Sequence, residues 1–171
     1  MPGLAMTRPE SDFDALRDDL KQLYDGDPWH DGPITTLLKS VDARAAFRRT
    51  IPNCHTIWEL VLHMTVWTRE VASRIRGADA KDPPEDWPKQ PAAANDSDWR
   101  AAQDALRSAH EDLARAVDSL NPADLLRMVA DQRNPSSGRG RTVGSHIRGL
   151  LQHDTYHQGQ IAMLKKAAAG S

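Results

Sequence analysis

The chain has 171 residues, with 22 Lys plus Arg against 24 Asp plus Glu and a formal net charge of -2; this length suits one globular domain with a sizeable core. The near-balanced charge gives no electrostatic reason to expect nucleic acid or an anionic membrane as partner, so a small neutral or mixed-charge ligand fits better. No run of about 18 apolar residues occurs, and the opening MPGLAMTRPESDF lacks a signal-type apolar core, so a single soluble, cytoplasmic domain over 1–171 is expected, with 1–8 and 169–171 as flexible ends.

Periodicity and caps predict four long helices and no strand. The first, about Pro9 to Tyr24, sets Phe13, Leu16, Leu20 and Leu23 at spacings of three and four, the stripe of an amphipathic helix, and stops at Asp25-Gly26-Asp27-Pro28. After the turn-rich DGDPWHDGP, an apolar piece from Ile34 to Val41 and DARAAFRRTIPN cross the top of the bundle. A second helix, Thr56 to Gly77, begins on a capping-box pattern, Thr56 with Glu59 three residues on. Its buried face should hold Leu60, His63, Val66, Trp67 and Val71. The segment GADAKDPPEDWPKQPAAANDSD reads as an extended loop, with Trp87 pinned to the body. A third helix, about Ser97 to Leu120, carries Trp99, Leu106, Leu113 and Val117 inward. Asn121 then caps a short helix beginning at Pro122, and NPSSGRGR reads as a flexible polar loop. The fourth helix runs from Thr142 to about Ala168 and ends on two lysines that suit its dipole. Together these predict an all-α four-helix bundle with long connecting loops.

Chemistry concentrates in the fourth helix, in His153-Asp-Thr-Tyr-His157. Imidazoles at i and i+4 leave one helix face and can converge on a single ion. The helix also carries a core stripe through Ile147, Leu150, Ile161 and Leu164, so the pair points near the interior, where two adjacent imidazoles without a shared partner would be costly to bury. His63, in mid-course of the second helix, is the third candidate ligand. Three neutral imidazoles leave open positions on an ion, unlike a closed structural zinc site. The single cysteine, Cys54, excludes an internal disulfide framework and a Cys-based finger, and reads as a loop or semi-buried thiol.

Several neighbours are candidates for roles around such an ion. Glu59 lies four residues before His63 and could orient a ligand or act as a base, although capping explains it equally well. Gln160, three residues after His157, is a candidate for hydrogen bonding to a ligand or contacting substrate. His146, two turns before His153, lies about 10 Å away along the axis and would reach substrate before the ion. Asp154 is turned by about 100° from His153 and is a poor ligand for the same metal. Trp29 and His30 are candidates to fold over the mouth of the site. Gly159 is expected to let a neighbouring helix approach, and His55 and His110 are expected at the surface or in caps.

The strings YDGDPWHDGP, HTIWELVLHMTVW and LLQHDTYHQGQIAMLKK together resemble the DinB/YfiT-like superfamily, nearest its YfiT-like branch, over about Leu16 to Lys166. The resemblance implies an up-down-down-up four-helix bundle that binds a divalent metal, often zinc or nickel, through one histidine of the second long helix and two of the fourth: His63, His153 and His157. It also implies a metal-dependent enzyme in which water, or a low-molecular-weight thiol cosubstrate, attacks a small electrophile, as in hydrolases and thiol S-transferases, and a homodimer. Since Cys54 stands alone, any thiol must come from outside the chain. The alternative is a metal-binding or stress-associated bundle without turnover; a solvent-open pocket beside the ion, lined by Glu59, Gln160 or His146, would favour the enzyme. A DNA-associated role finds no basic stripe on any helix.

Overall fold

The computed structural model describes residues 12–30, 32–131 and 140–169. The expected first turn of the opening helix (Pro9 to Ser11), most of the NPSSGRGR loop and most of both expected flexible ends lie outside the described residues. Four long helices dominate: α1 (Asp12–Asp25), α4 (Ile57–Ile75), α5 (Asp96–Asp118) and α6 (Val143–Ala169). The connection between the first two forms two short helices, α2 (Ile34–Lys39) and α3 (Ala43–Phe47), the latter capped by Asp42, which accepts from the Ala45 N–H at 2.7 Å. No strand was expected, yet β1 (Met128–Val129) and β2 (Arg141–Thr142) form a short antiparallel ladder pairing Met128 with Thr142 and Val129 with Arg141. Two residues are too few for alternating hydrophobicity to register.

The caps follow the local chemistry read from the sequence. Thr56 Oγ1 accepts from the Glu59 N–H at 3.1 Å, and Glu59 Oε2 accepts from the Thr56 N–H at 2.9 Å, a complete capping box. The other end of α4 stops at Gly77, whose φ of 107° only glycine adopts readily. There the Ala78 N–H reaches Ser73 O at 3.1 Å and the Gly77 N–H reaches Arg74 O at 3.0 Å, the paired bonds of a Schellman ending. Asn121 caps the 3₁₀ helix Pro122–Leu126 in the same reciprocal way as Thr56.

Helix directions follow from which residues share a core. One buried cluster joins Leu23 of α1, Trp58 and Met64 of α4, Trp99 and Leu106 of α5, and Ile161 and Leu164 of α6. The other joins Phe13 and Leu16, Val71 and Ile75, Leu113 and Val117, and Ile147 and Leu150. Helices α4 and α5 therefore run from the first cluster to the second, while α1 and α6 run from the second to the first, which is the up-down-down-up order. Because α4 and α5 are parallel neighbours, the chain must return the full length of the bundle between them. That return is the loop 76–95, which consequently passes the middle of the molecule. Between the two apolar clusters lies a polar waist: His63, His110, Asp154 and His157 are all buried there. Val66 and Trp67, expected inside, are only half-buried. Among the described residues no helix is long and apolar enough to cross a membrane.

Gly159 does not admit a neighbouring helix within this chain: a Cβ placed there meets nothing within 4 Å. A mid-helix glycine with open space around it leaves only its backbone entropy cost. Gly159→Ala should therefore stabilise the fold by about 0.5–1 kcal/mol, read as a higher urea midpoint at unchanged m-value; a lower midpoint would mean that another molecule needs the gap.

Candidate metal centre

At the waist, α4 presents His63 while α6 presents His153 and His157. Nε2 of His153 is 2.9 Å from Nε2 of His63 and 3.1 Å from Nε2 of His157, and one ring nitrogen from each of the three lies within 4.8 Å of the others. Tetrahedral coordination with metal–nitrogen bonds of about 2.0–2.1 Å would place ligand nitrogens about 3.3 Å apart, so a small adjustment would admit an ion. His153 is the outermost of the three, with 26 % of its side chain exposed.

The opposite ring edges explain why these nitrogens face inward. His63 Nδ1 meets the Asp86 backbone oxygen at 2.7 Å, His153 Nδ1 meets Asp154 Oδ1 at 3.0 Å, and His157 Nδ1 meets Gln160 Oε1 at 2.6 Å. Each partner is an oxygen that can only accept, so each Nδ1 carries the proton and each Nε2 keeps its lone pair. Three lone pairs pointed at one another about 3 Å apart repel, and a shared cation relieves that repulsion; outer partners on every ring are the usual frame of a metal-binding histidine. Two of the partners come from unlike places. Gln160 is the neighbour singled out in the sequence, whereas Asp86 arrives on the returning loop, where nothing local marks it.

Burial holds the His63 and His157 imidazoles below the ordinary histidine range, His157 at about 4, so both are neutral near pH 7 and protons do not compete for the lone pairs. The sign for stability follows. Between about pH 6.5, the ordinary value, and pH 4 the unfolded chain binds more protons than the folded one, so acid favours unfolding. The metal-free protein should lose stability steadily as pH falls from 6.5 towards 4, seen as falling urea midpoints at pH 7, 5.5 and 4.5. A flat series would contradict the burial of these rings.

The roof is Trp87, sandwiched with its ring 3.7 Å from His63 and 3.6 Å from His55. It is pinned to the body as expected, and Asp86 beside it also accepts from Trp67 Nε1 at 2.6 Å. Trp29 and His30, the sequence's candidates for a cover, do not serve as one. Trp29 stands fully in solvent and shares with His30 a groove against Thr155 and Tyr156, because the DPWH turn follows α1 and not the returning loop.

The remaining candidates separate. Glu59 Oε1 accepts from Arg49 Nη2 at 2.9 Å, and Oε2 caps the helix and meets His55 at 3.3 Å. Burial alone would raise its carboxyl, but the Thr56 N–H and Arg49 outweigh it and hold Glu59 below the usual range. It belongs to the helix start, outside the imidazole group. His146, held at Nδ1 by Thr142 O at 3.1 Å, lines a cavity of about 260 Å³ together with Trp67, Arg141, Ser145 and His153. This cavity therefore adjoins the imidazole cluster. A larger one, about 570 Å³, lies between α1 and α5 and touches none of the three. Cys54 is exposed and His55 lies at the surface, but His110 is buried, contrary to expectation, and faces Asp154. Its position explains this: His110 falls on the same stripe as Leu106, Leu113 and Val117.

A profile of the DinB superfamily matches residues 33–161, a span that includes His63, His153 and His157. No curated protein matches the chain.

Proposed function

The chain belongs to the DinB superfamily, and on that footing we propose that it is a divalent-metal-dependent enzyme whose ion is held by His63, His153 and His157. The observation that carries the reading is the convergence of three Nε2 atoms at 2.9 and 3.1 Å while every Nδ1 is committed to an acceptor. Zinc and nickel suit an all-imidazole donor set. When bound with positions left open, such an ion makes a water or a thiol a competent nucleophile near neutral pH. The rest is work for the chain's own residues. Asp86, Asp154 and Gln160 keep the ligand rings oriented, and Trp87 keeps water from one side of His63. The cavity beside His153 receives a small electrophile, with Arg141, Ser145 and His146 on its wall to bind it. Glu59 is left to the helix cap, so proton transfer falls to the nucleophile itself or to His146.

A bundle that only stores or senses metal would need no such cavity, and the opening beside His153 supports the enzyme over that alternative. The three sequence motifs favour the YfiT-like branch and, with Cys54 the single cysteine and outside the imidazole group, an external thiol of low molecular weight or water as attacking group. A homodimer is supported by Tyr156 and Met163, both about two-thirds exposed on one helix face with Gly159 between them; light scattering of the eluted protein would decide it.

The test is elemental mass spectrometry of untagged, chelator-free protein beside the His63, His153 and His157 triple alanine variant. About one equivalent of metal per chain, lost in the variant, is expected, followed by metal-dependent consumption of a thiol with model electrophiles. Protein that takes up neither zinc nor nickel on reconstitution would remove the metal reading.

A further inference from the structure

Asp154 is 1 % exposed and His110 is 6 % exposed, and they meet across the polar waist from α6 and α5. Asp154 Oδ1 accepts a hydrogen bond from His153 Nδ1–H at 3.0 Å. Its Oδ2 faces His110 Nε2 at 3.5 Å, an approach that does not make a hydrogen bond in this structure, and both of these buried atoms lack any other hydrogen-bond partner among the described residues. The far face of the His110 ring is closed by Tyr24, stacked at 4.1 Å. A carboxylate this deeply buried is costly unless both oxygens are engaged, and among the described residues the charged or titratable side chains within 4 Å of it are the two imidazoles, one hydrogen-bonded and the other within a short side-chain adjustment of bonding. If Oδ2 lost His110, Asp154 would be free to rotate away, and His153 could place its proton on either nitrogen.

We propose that His110 is a positioning residue for the imidazole cluster: its Nε2–H holds Asp154 Oδ2, which keeps Asp154 Oδ1 on His153 Nδ1 and so leaves His153 Nε2 unprotonated towards His63 and His157. The line His110–Asp154–His153 crosses the bundle and ties a helix with no ligand of its own to the outermost ligand. The consequence for metal binding rests on the function proposed above, but the placement of the protons does not. No atom moves between residues in this scheme; two hydrogen bonds in series select one tautomer.

The test uses the full chain and has two independent readouts. In metal-free protein, two-bond ¹H–¹⁵N correlation of the histidine rings should show neutral His110 protonated at Nε2 and neutral His153 protonated at Nδ1. His110→Phe keeps the ring stacked on Tyr24 but removes the donor; it should shift His153 towards the Nε2–H tautomer, and His110→Gln, which retains an N–H, should restore Nδ1–H. In the second readout, zinc affinity by competition with a chromophoric chelator should fall about 10- to 100-fold in His110→Phe, the range for loss of an outer partner, and recover in His110→Gln. A His110 proton found on Nδ1 in the wild type, or an unchanged His153 tautomer in His110→Phe, overturns the proposal. The wild-type spectrum decides even if His110→Phe does not fold. Wild-type protein that binds no zinc while showing both expected tautomers would remove the metal reading and leave the relay standing.

Discussion

His153→Ala and His157→Ala are each expected to abolish tight metal binding while leaving a folded helical bundle. Each substitution removes one of three inward nitrogens, and two imidazoles cannot enclose an ion that three were arranged around. The fold should survive because it is held by other groups. The clusters on either side of the waist bury Trp58, Met64, Leu106 and Ile161 at one end and Ile75, Leu113 and Ile147 at the other, and none of the three histidines belongs to either cluster. His153 is also partly exposed, so truncating it opens no sealed cavity. The check pairs a zinc competition titration with far-ultraviolet circular dichroism and a urea curve on each variant. Loss of zinc with native helicity is the expected result. A variant that unfolds outright would make the site a structural staple, as in small zinc domains, and the enzyme reading would lose its main support.

The sequence was most informative where the physics is local. The capping box at Thr56 and Glu59, the end of the second long helix near Gly77 and the inward stripe of α5 depend on residues within one or two turns of each other, and all stand where spacing puts them. The pair His153 and His157 is legible for the same reason, and His63, a candidate from its place in the second long helix, is joined to them by the family motifs. What escaped depends on chain segments far apart in sequence. Asp86 and Trp87 serve the site only because α4 and α5 are parallel, which forces the long return past the waist; in the sequence they are two residues of a proline- and aspartate-rich loop. The angle between Asp154 and His153 says less than the place of Asp154 beside Leu150, Ile147 and Ile161, whose core stripe it continues. His110 likewise occupies a core position of α5. A polar residue on an apolar stripe marks a buried partner, and two such residues on facing helices mark each other. Applied to α5 and α6, that rule pairs His110 with Asp154, the two that face each other at 3.5 Å.

The second large effect lies in the core and not at the site. Trp58 is 2 % exposed, its ring 5.1 Å from Trp99 and edge-on to Phe47 at 6.5 Å, while Trp99 is itself tied down by its Nε1–H to Val41 O at 2.7 Å. This aromatic group joins α3, α4 and α5 one turn from the Thr56 cap, so truncation leaves a cavity whose walls are already fixed. Trp58→Ala should cost about 3–5 kcal/mol, a large share of the 5–15 kcal/mol that a domain of this kind possesses. Metal ought to offset part of that loss, since an ion that binds only the folded chain adds about 2.7 kcal/mol at a hundredfold excess over its dissociation constant. Thermal unfolding of Trp58→Ala with and without zinc therefore separates two contributions: a strongly lowered midpoint without metal, raised again by zinc. In a Trp58→Ala protein that also lacks His63, His153 and His157, zinc should have no effect. If zinc raised the midpoint equally in that protein, the ion would be binding elsewhere. If zinc failed to raise it in Trp58→Ala alone, the waist would have lost its geometry along with the core, and the two halves of the bundle would be more tightly coupled than their separate clusters imply.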